Sequence, residues 1–130
     1  MVALDTNILV RVLTNDDAIQ SQTAAAFIRG QDRVLVLKTV LLEIEWVLRS
    51  AYRFNREAIA RGLRNLIVTA NFVIQDMAAV MVAIEWFEQG MDLADALHLA
   101  STDRETEFAT FDVALQRTAQ KLGIARVIAI

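Results

Sequence analysis

The chain has no cysteine and no proline, and it has only one histidine and four glycines. Without cysteine it forms neither disulfides nor thiolate metal sites, and a single histidine excludes a histidine-rich zinc site. Any metal ion must therefore be held by oxygen ligands, which favours Mg²⁺ or Mn²⁺. Nothing in the sequence resembles a linker, so the length of 130 residues predicts a single domain, residues 1–130.

The chain also lacks an excess of basic residues, since 13 Lys and Arg stand against 16 Asp and Glu. A protein that binds nucleic acid usually carries a basic footprint. Two bound divalent cations would change the net charge from −3 to +1, which weakens that objection. No apolar run is long enough to span a membrane, and Asp5 interrupts the apolar N-terminus. We therefore expect a cytoplasmic protein without a signal peptide.

Short apolar runs alternate with segments of helical periodicity along the chain. This alternation predicts an α/β three-layer sandwich, in which a central parallel sheet of about four or five strands is covered by helices on both faces. We expect four of the helices to begin at N-cap residues, which are Asp16 or Asp17, Thr39, Asn55 and Asp76. The strands are predicted at about residues 2–5, 33–37, 71–74, 107–111 and 126–130, with seven helices between them.

Four acidic residues carry the most information about function. Asp5 and Asp112 follow predicted strands, and ligands of parallel sheets bind outside the carboxyl ends of the strands. Asp95 lies in the first turn of a predicted helix and would be brought near that edge. Each aspartate could instead serve only as a helix cap or as a first-turn charge.

Glu43 has no such structural explanation. It lies about 40° from Val47 on a helical wheel, on the shoulder of the apolar stripe that contains Val40 and Ile44. Glu45 points elsewhere and can pair with Arg49 at a spacing of four residues. We therefore interpret Glu43 as the functional glutamate and expect Glu45 to lie on the surface.

Convergence of these four acids would require a cation. Two like charges about 5 Å apart repel by roughly 3 kcal/mol at an effective dielectric constant of about 20. Several such pairs would consume much of the roughly 5–15 kcal/mol by which a small domain is stable. A divalent cation would relieve the repulsion and could activate water for attack on a phosphoryl group.

Four short segments contain the acidic residues: Asp5-Thr6-Asn7, the helix around Leu42-Glu43, Met91 to His98, and Ala109-Thr110-Phe111-Asp112. They resemble the acidic motifs of PIN-domain nucleases, and their order and the chain length are most similar to the VapC ribonuclease toxins of type II toxin–antitoxin pairs. The resemblance covers essentially the whole chain. It implies that Asp5, Glu43, Asp95 and Asp112 bind one or two Mg²⁺ or Mn²⁺ ions and cleave RNA, with Thr6, Asn7 and Thr110 orienting them.

The same resemblance implies a homodimer and a cognate antitoxin protein that covers the active-site groove. Candidate RNA contacts are Arg49, Arg53 and Arg56, because Tyr52 and Phe54 lie between them and bases can stack on aromatic rings while arginines meet phosphates. A solvated helix end with extended arginines is the alternative interpretation. The sequence does not indicate which RNA is cleaved.

Two other functions stay open at this point. The first is a Mg²⁺-dependent phosphotransfer protein, although phosphatases of that kind need a second aspartate where this chain has Asn7. The second is a non-catalytic interaction module on the same fold, which the acidic balance and the hydrophobic content of 55% would suit. Such a module would have no reason to bind Mn²⁺, so manganese binding separates it from a nuclease.

Overall fold

The computed structural model describes residues 1–130, and strands alternate with helices along all of them. The strands are β1 Val2–Ala3, β2 Val34–Val36, β3 Phe72–Ile74, β4 Phe108–Thr110 and β5 Val127–Ala129. The helices are α1 Thr6–Thr14, α2 Ala18–Arg29, α3 Lys38–Ser50, α4 Arg56–Ile67, α5 Met77–Glu88, α6 Leu93–Ala100 and α7 Val113–Lys121. No helix has the length and apolar character that a membrane crossing requires.

All strand pairs are parallel, which confirms the predicted α/β class. The expected single sheet of four or five strands is divided, because the hydrogen bonds form one ladder in the order β1-β2-β3 and a second ladder of β4 with β5. The strands contain only two or three residues each.

The internal contacts group the chain into two compact units, Met1–Met77 and Ala78–Ile130. This grouping does not test whether either unit folds alone, so the single domain stays a prediction. In the first unit β2 is the middle strand, and its Val34 and Val36 are completely buried. Helix α1 packs against α2 and α3, and α3 packs against α4. The fully buried side chains of these helices include Leu9, Leu41, Ile44, Leu48, Ile59 and Leu63.

The second unit contains β4, β5 and the last helices. Helix α7 packs against both strands, and its Leu115 is buried. Arg126, just before β5, donates from Nη2 to the carbonyl oxygen of Leu99 at 2.6 Å and from Nη1 to the hydroxyl of Thr102. These bonds connect the start of β5 to the end of α6.

Side chains cap most of the helices, but one predicted cap is wrong. Helix α3 begins at Lys38, so Thr39 lies inside its first turn. The backbone N–H of Lys38 donates instead to Oε1 of Gln75 at 2.9 Å, a group 37 residues away in sequence. Helix α5 begins directly after Asp76, whose carboxylate pairs with Nζ of Lys38 at 3.0 Å. Long-range contacts of this kind cannot be inferred from a local capping pattern.

Candidate functional site

Asp5 lies between β1 and α1 in the first unit. Its extended backbone makes it the N-cap of α1, and its Oδ1 accepts a hydrogen bond from the backbone N–H of Thr6 at 2.8 Å. The side chain is exposed, and its Oδ2 makes no hydrogen bond to the protein. The predicted alternative, a helix cap, is therefore present, yet it occupies only one of the two carboxylate oxygens.

A hydrogen bond between α1 and α3 connects Glu43 to Thr6, the residue that follows Asp5. The hydroxyl of Thr6 donates to Oε1 of Glu43, although Thr6 is buried and Glu43 is exposed. Thr6 thus contacts both carboxylates, because its hydroxyl donates to Glu43 and its backbone N–H donates to Asp5. A buried hydroxyl that donates to a carboxylate is a positioning contact of the kind that supports metal ligands.

The two glutamates of α3 do not have the predicted exposures. Glu45 is 2% exposed, whereas Glu43 is exposed, so the prediction that Glu45 lies on the surface is wrong. The buried face of α3 contains Leu41 and Leu48, four residues before and three residues after Glu45, because this helix packs against both α1 and α4. The predicted pairing is confirmed, since Nε of Arg49 donates to Oε2 of Glu45 at 2.9 Å.

A cleft of about 460 Å³ lies beside these carboxylates within the first unit. Asp5, Thr6, Asn7 and Glu43 line one part of it, and Arg11 and Tyr52 line another part. Arg11 is four residues after Asn7 in α1, a spacing that places both on one face of the helix. That spacing could have identified Arg11 from the sequence, but Tyr52 enters the cleft from beyond the end of α3.

The other two acidic candidates, Asp95 and Asp112, lie in the second unit. Asp92 caps α6 by accepting from the backbone N–H of Asp95 at 3.2 Å, and Asp112 caps α7 by accepting from that of Leu115 at 3.1 Å. The hydroxyl oxygen of Thr110 accepts from the backbone N–H of Asp112 at 2.9 Å. Each capping carboxylate again keeps one oxygen without a protein partner.

Burial and the charges of neighbouring carboxylates change the pKa of Asp95. Burial raises the pKa of Asp95, the charges of Asp92 and Asp112 raise it further, and His98 opposes the shift. Like charges at close range favour the protonated form of a carboxyl group. A cation bound here would remove that penalty.

In protein kept free of metal, Asp95→Asn is expected to raise the midpoint of thermal unfolding at about pH 7 and to leave it unchanged at about pH 3. A carboxyl group whose pKa is raised by folding destabilises the folded chain once it ionises, so stability falls as the pH rises through that pKa. Calorimetry in EDTA measures the midpoints. Asp103→Asn is the control with the opposite sign, because a hydrogen bond from Thr106 lowers the pKa of Asp103. A lower midpoint for Asp95→Asn at neutral pH would contradict the prediction.

The structure places the predicted site residues in two groups. Asp5, Thr6, Asn7 and Glu43 lie together in the first unit, and Asp95, Thr110 and Asp112 lie in the second. No group of three or more His, Asp or Glu side chains has the geometry of a metal site. The gathering of all four acids therefore stays a prediction. The chemistry of the donors still suits a hard divalent cation, because exposed carboxylate oxygens are left without partners.

The arginines predicted to contact RNA lie away from this cleft. Arg49 is paired with Glu45, Arg53 has a left-handed backbone with φ of 56°, and Arg56 is the first residue of α4. None of the three lines the cleft, although Tyr52 between them does. Their contact with RNA stays a prediction.

Comparison with known proteins gives one family. The model of the PIN domain matches residues 2–121, which is most of the chain and includes every predicted acidic position. Proteins of this family are generally nucleases. Neither curated proteins nor solved structures give a significant match. On this match, and with parallel strands that end in capping aspartates, the chain belongs to the PIN domain family.

Proposed function

We propose that this protein is a metal-dependent endoribonuclease. The observation that carries the proposal is the arrangement of Asp5, Thr6 and Glu43 in one cleft, within a chain of a family that generally cleaves nucleic acid. One buried threonine donates to two exposed carboxylates, and helix capping explains only that of Asp5. Glu43 in particular caps no helix, since it lies in the interior of α3.

We assign a separate role to each residue of the site. Asp5 and Glu43, with Asp95 and Asp112, would hold one or two Mg²⁺ or Mn²⁺ ions through their carboxylate oxygens, of which Asp5 and Asp112 each keep one that capping does not use. A divalent ion held in this way activates water and stabilises the negative charge that develops on a phosphoryl group. Thr6 keeps Glu43 in place through its hydroxyl, and Thr110 holds the backbone of Asp112. Asn7 lines the cleft beside Asp5 and would orient water or substrate there.

The test is cleavage of RNA by purified protein with and without metal. We expect Mn²⁺ or Mg²⁺ to produce fragments from a labelled single-stranded RNA, and EDTA to abolish the products, because the carboxylates alone supply no activated water. Gel electrophoresis of the labelled RNA measures the result. Cleavage that persists in EDTA would overturn the metal dependence. If no metal supports cleavage and calorimetry detects no Mn²⁺ binding, the protein is a non-catalytic interaction module.

We further propose that the enzyme is the toxin of a type II toxin–antitoxin pair, acts in the cytoplasm on cellular RNA, and forms a homodimer that a cognate antitoxin inhibits. The resemblance of its acidic motifs to those of VapC toxins supports this biological role. Induced expression should arrest growth only while the acidic site is intact, and coexpression with a small protein encoded by the adjacent reading frame should restore growth. Unchanged growth during expression of active enzyme would contradict the toxin role without affecting the chemistry.

A further inference from the structure

A hydrogen-bonded network connects α1 and the end of α3 at one side of the cleft. Nη1 of Arg11 donates to Oδ1 of Asp16 at 2.9 Å, and the hydroxyl of Tyr52 donates to Oδ2 of Asp16 at 2.7 Å. Gln20 accepts from Nε of Arg11 at 2.7 Å, and Thr14 donates its hydroxyl to Asp16 at 3.0 Å. This network fixes both a guanidinium and a phenol ring before any ligand arrives.

Two residues of this network, Arg11 and Tyr52, also line the cleft. Nη2 of Arg11 makes no hydrogen bond to the protein, and Arg11 lines the cleft. Tyr52 is half-buried and also lines the cleft. Its contact with Phe54 is edge-on, with ring centroids 6.0 Å apart and an interplanar angle of 64°, so Phe54 does not lie parallel over the Tyr52 ring. The guanidinium of Arg11 and the aromatic ring of Tyr52 thus belong to residues that line the same cleft as Asp5 and Glu43.

We propose that Tyr52 and Arg11 form a nucleotide subsite for single-stranded RNA next to the acidic residues. The Tyr52 ring would stack on one base, and Nη2 of Arg11 would donate to a phosphate of the same strand. This inference rests on the proposed ribonuclease function and names the form of substrate that its cleft accepts.

The chemistry of the cleft favours single-stranded RNA. Aromatic rings with neighbouring cations bind unstacked bases and their backbone, whereas a duplex keeps its bases stacked on each other. The volume of about 460 Å³ falls within the range of roughly 300–1,000 Å³ that is usual for small-ligand sites, so one nucleotide can enter. Arg11 stays protonated beside Asp16, which raises the pKa of its guanidinium, so Nη2 keeps the N–H groups that a phosphate oxygen would accept from.

The chain contains a single tyrosine, which makes a direct test possible. Protein made with 3-fluorotyrosine carries one fluorine reporter, at Tyr52. We expect its ¹⁹F resonance to shift and saturate on titration with a single-stranded RNA hexamer in Ca²⁺, under conditions where electrophoresis shows intact RNA. A hexamer that binds by fluorescence anisotropy without moving the resonance would overturn the subsite, and so would a hexamer that does not bind at all.

Variants separate stacking from a structural role of the hydroxyl. Tyr52→Leu is expected to raise KM for RNA cleavage about tenfold with little change in kcat, which is within the range measured for loss of one stacked base. Tyr52→Phe keeps the ring and should stay within about twofold of the parent in KM. An equal rise in KM for both variants would show that the effect comes from loss of the hydroxyl bond to Asp16, and it would overturn the proposal. Phe27→Leu is the matched control, since Phe27 is an exposed aromatic residue of the same unit that does not line the cleft.

Arg11 has an independent readout in the salt dependence of binding. Each phosphate contact to single-stranded nucleic acid contributes about 0.7 to the slope of log affinity against log salt concentration. Arg11→Gln should therefore reduce that slope by about 0.7, whereas Arg29→Gln, an exposed residue at the end of α2, should leave it unchanged. An unchanged slope in Arg11→Gln would remove Arg11 from the subsite.

The subsite and the ribonuclease function can fail separately. Metal-dependent cleavage with the same KM in Tyr52→Leu and in the parent would overturn the subsite and leave the enzyme assignment intact. A shifted fluorine resonance without cleavage in any metal would support the subsite and refute the ribonuclease.

Discussion

Asp5→Asn is expected to lower the rate of RNA cleavage about a thousandfold, the upper end of the range for removing one group that stabilises charge in a transition state. The substitution removes one negative charge and one proposed metal ligand from the cleft. It should leave the fold intact, because asparagine caps helices as well as aspartate does and its amide oxygen can still accept from the N–H of Thr6. Initial rates on labelled RNA, together with circular dichroism and thermal unfolding, measure both effects.

A matched control for Asp5→Asn exists in the same unit. Asp17 caps α2 by accepting from the backbone N–H of Gln20 at 3.0 Å, and it does not line the cleft. Asp17→Asn makes the same chemical change at the same kind of helix position and should retain the parent rate. A folded Asp5→Asn protein with normal activity would remove Asp5 from the site and with it the proposed mechanism.

Arg49→Met is expected to reduce the free energy of unfolding by about 2–3 kcal/mol, somewhat below the range for breaking a fully buried ion pair. Glu45 is 2% exposed and would lose the Nε–H donor that both of its carboxylate oxygens share in α3. The side chain of Arg49 is 54% exposed, which lets solvent replace part of the interaction and explains the discount. Urea denaturation followed by fluorescence gives the free energy.

Arg29→Met provides the comparison, because Arg29 is the basic residue in the last turn of α2 just as Arg49 is in the last turn of α3. It should change the free energy of unfolding by no more than about 0.5 kcal/mol, as an exposed substitution usually does. Adding Glu45→Leu to Arg49→Met should restore most of the stability. A loss of the same size in both single variants would contradict this explanation.

The sequence predicts the order of the elements well because they depend on local patterns. Apolar runs indicate the five strands and helical periodicity indicates the seven helices. Capping chemistry places the helix starts at Asp17 and Asn55, where each side chain does cap its helix. It fails at Thr39, since the group that caps α3 comes from Gln75. Propensity is a weak guide wherever a distant side chain competes for the same backbone group.

The candidate site is predictable to a similar degree. Strand ends and family motifs indicate Asp5 and Asp112, because parallel strands present their carboxyl ends to ligands. Helical periodicity gives the wrong exposure for Glu45, since the buried face of α3 depends on which helices pack against it. Periodicity also cannot show that Tyr52 reaches Asp16, a contact across 36 residues. Contacts of that length are set by tertiary packing alone.

The bond between Gln75 and Lys38 has a consequence for how the protein is made. A ribosome delivers the chain from its N-terminus, so Glu43 leaves the exit tunnel long before Gln75 does. Until then α3 lacks the side chain that completes its first turn, and β2 lacks its neighbour β3. The glutamate of the cleft is therefore held by an incomplete scaffold during synthesis, which delays assembly of this part of the protein until residue 75 has emerged.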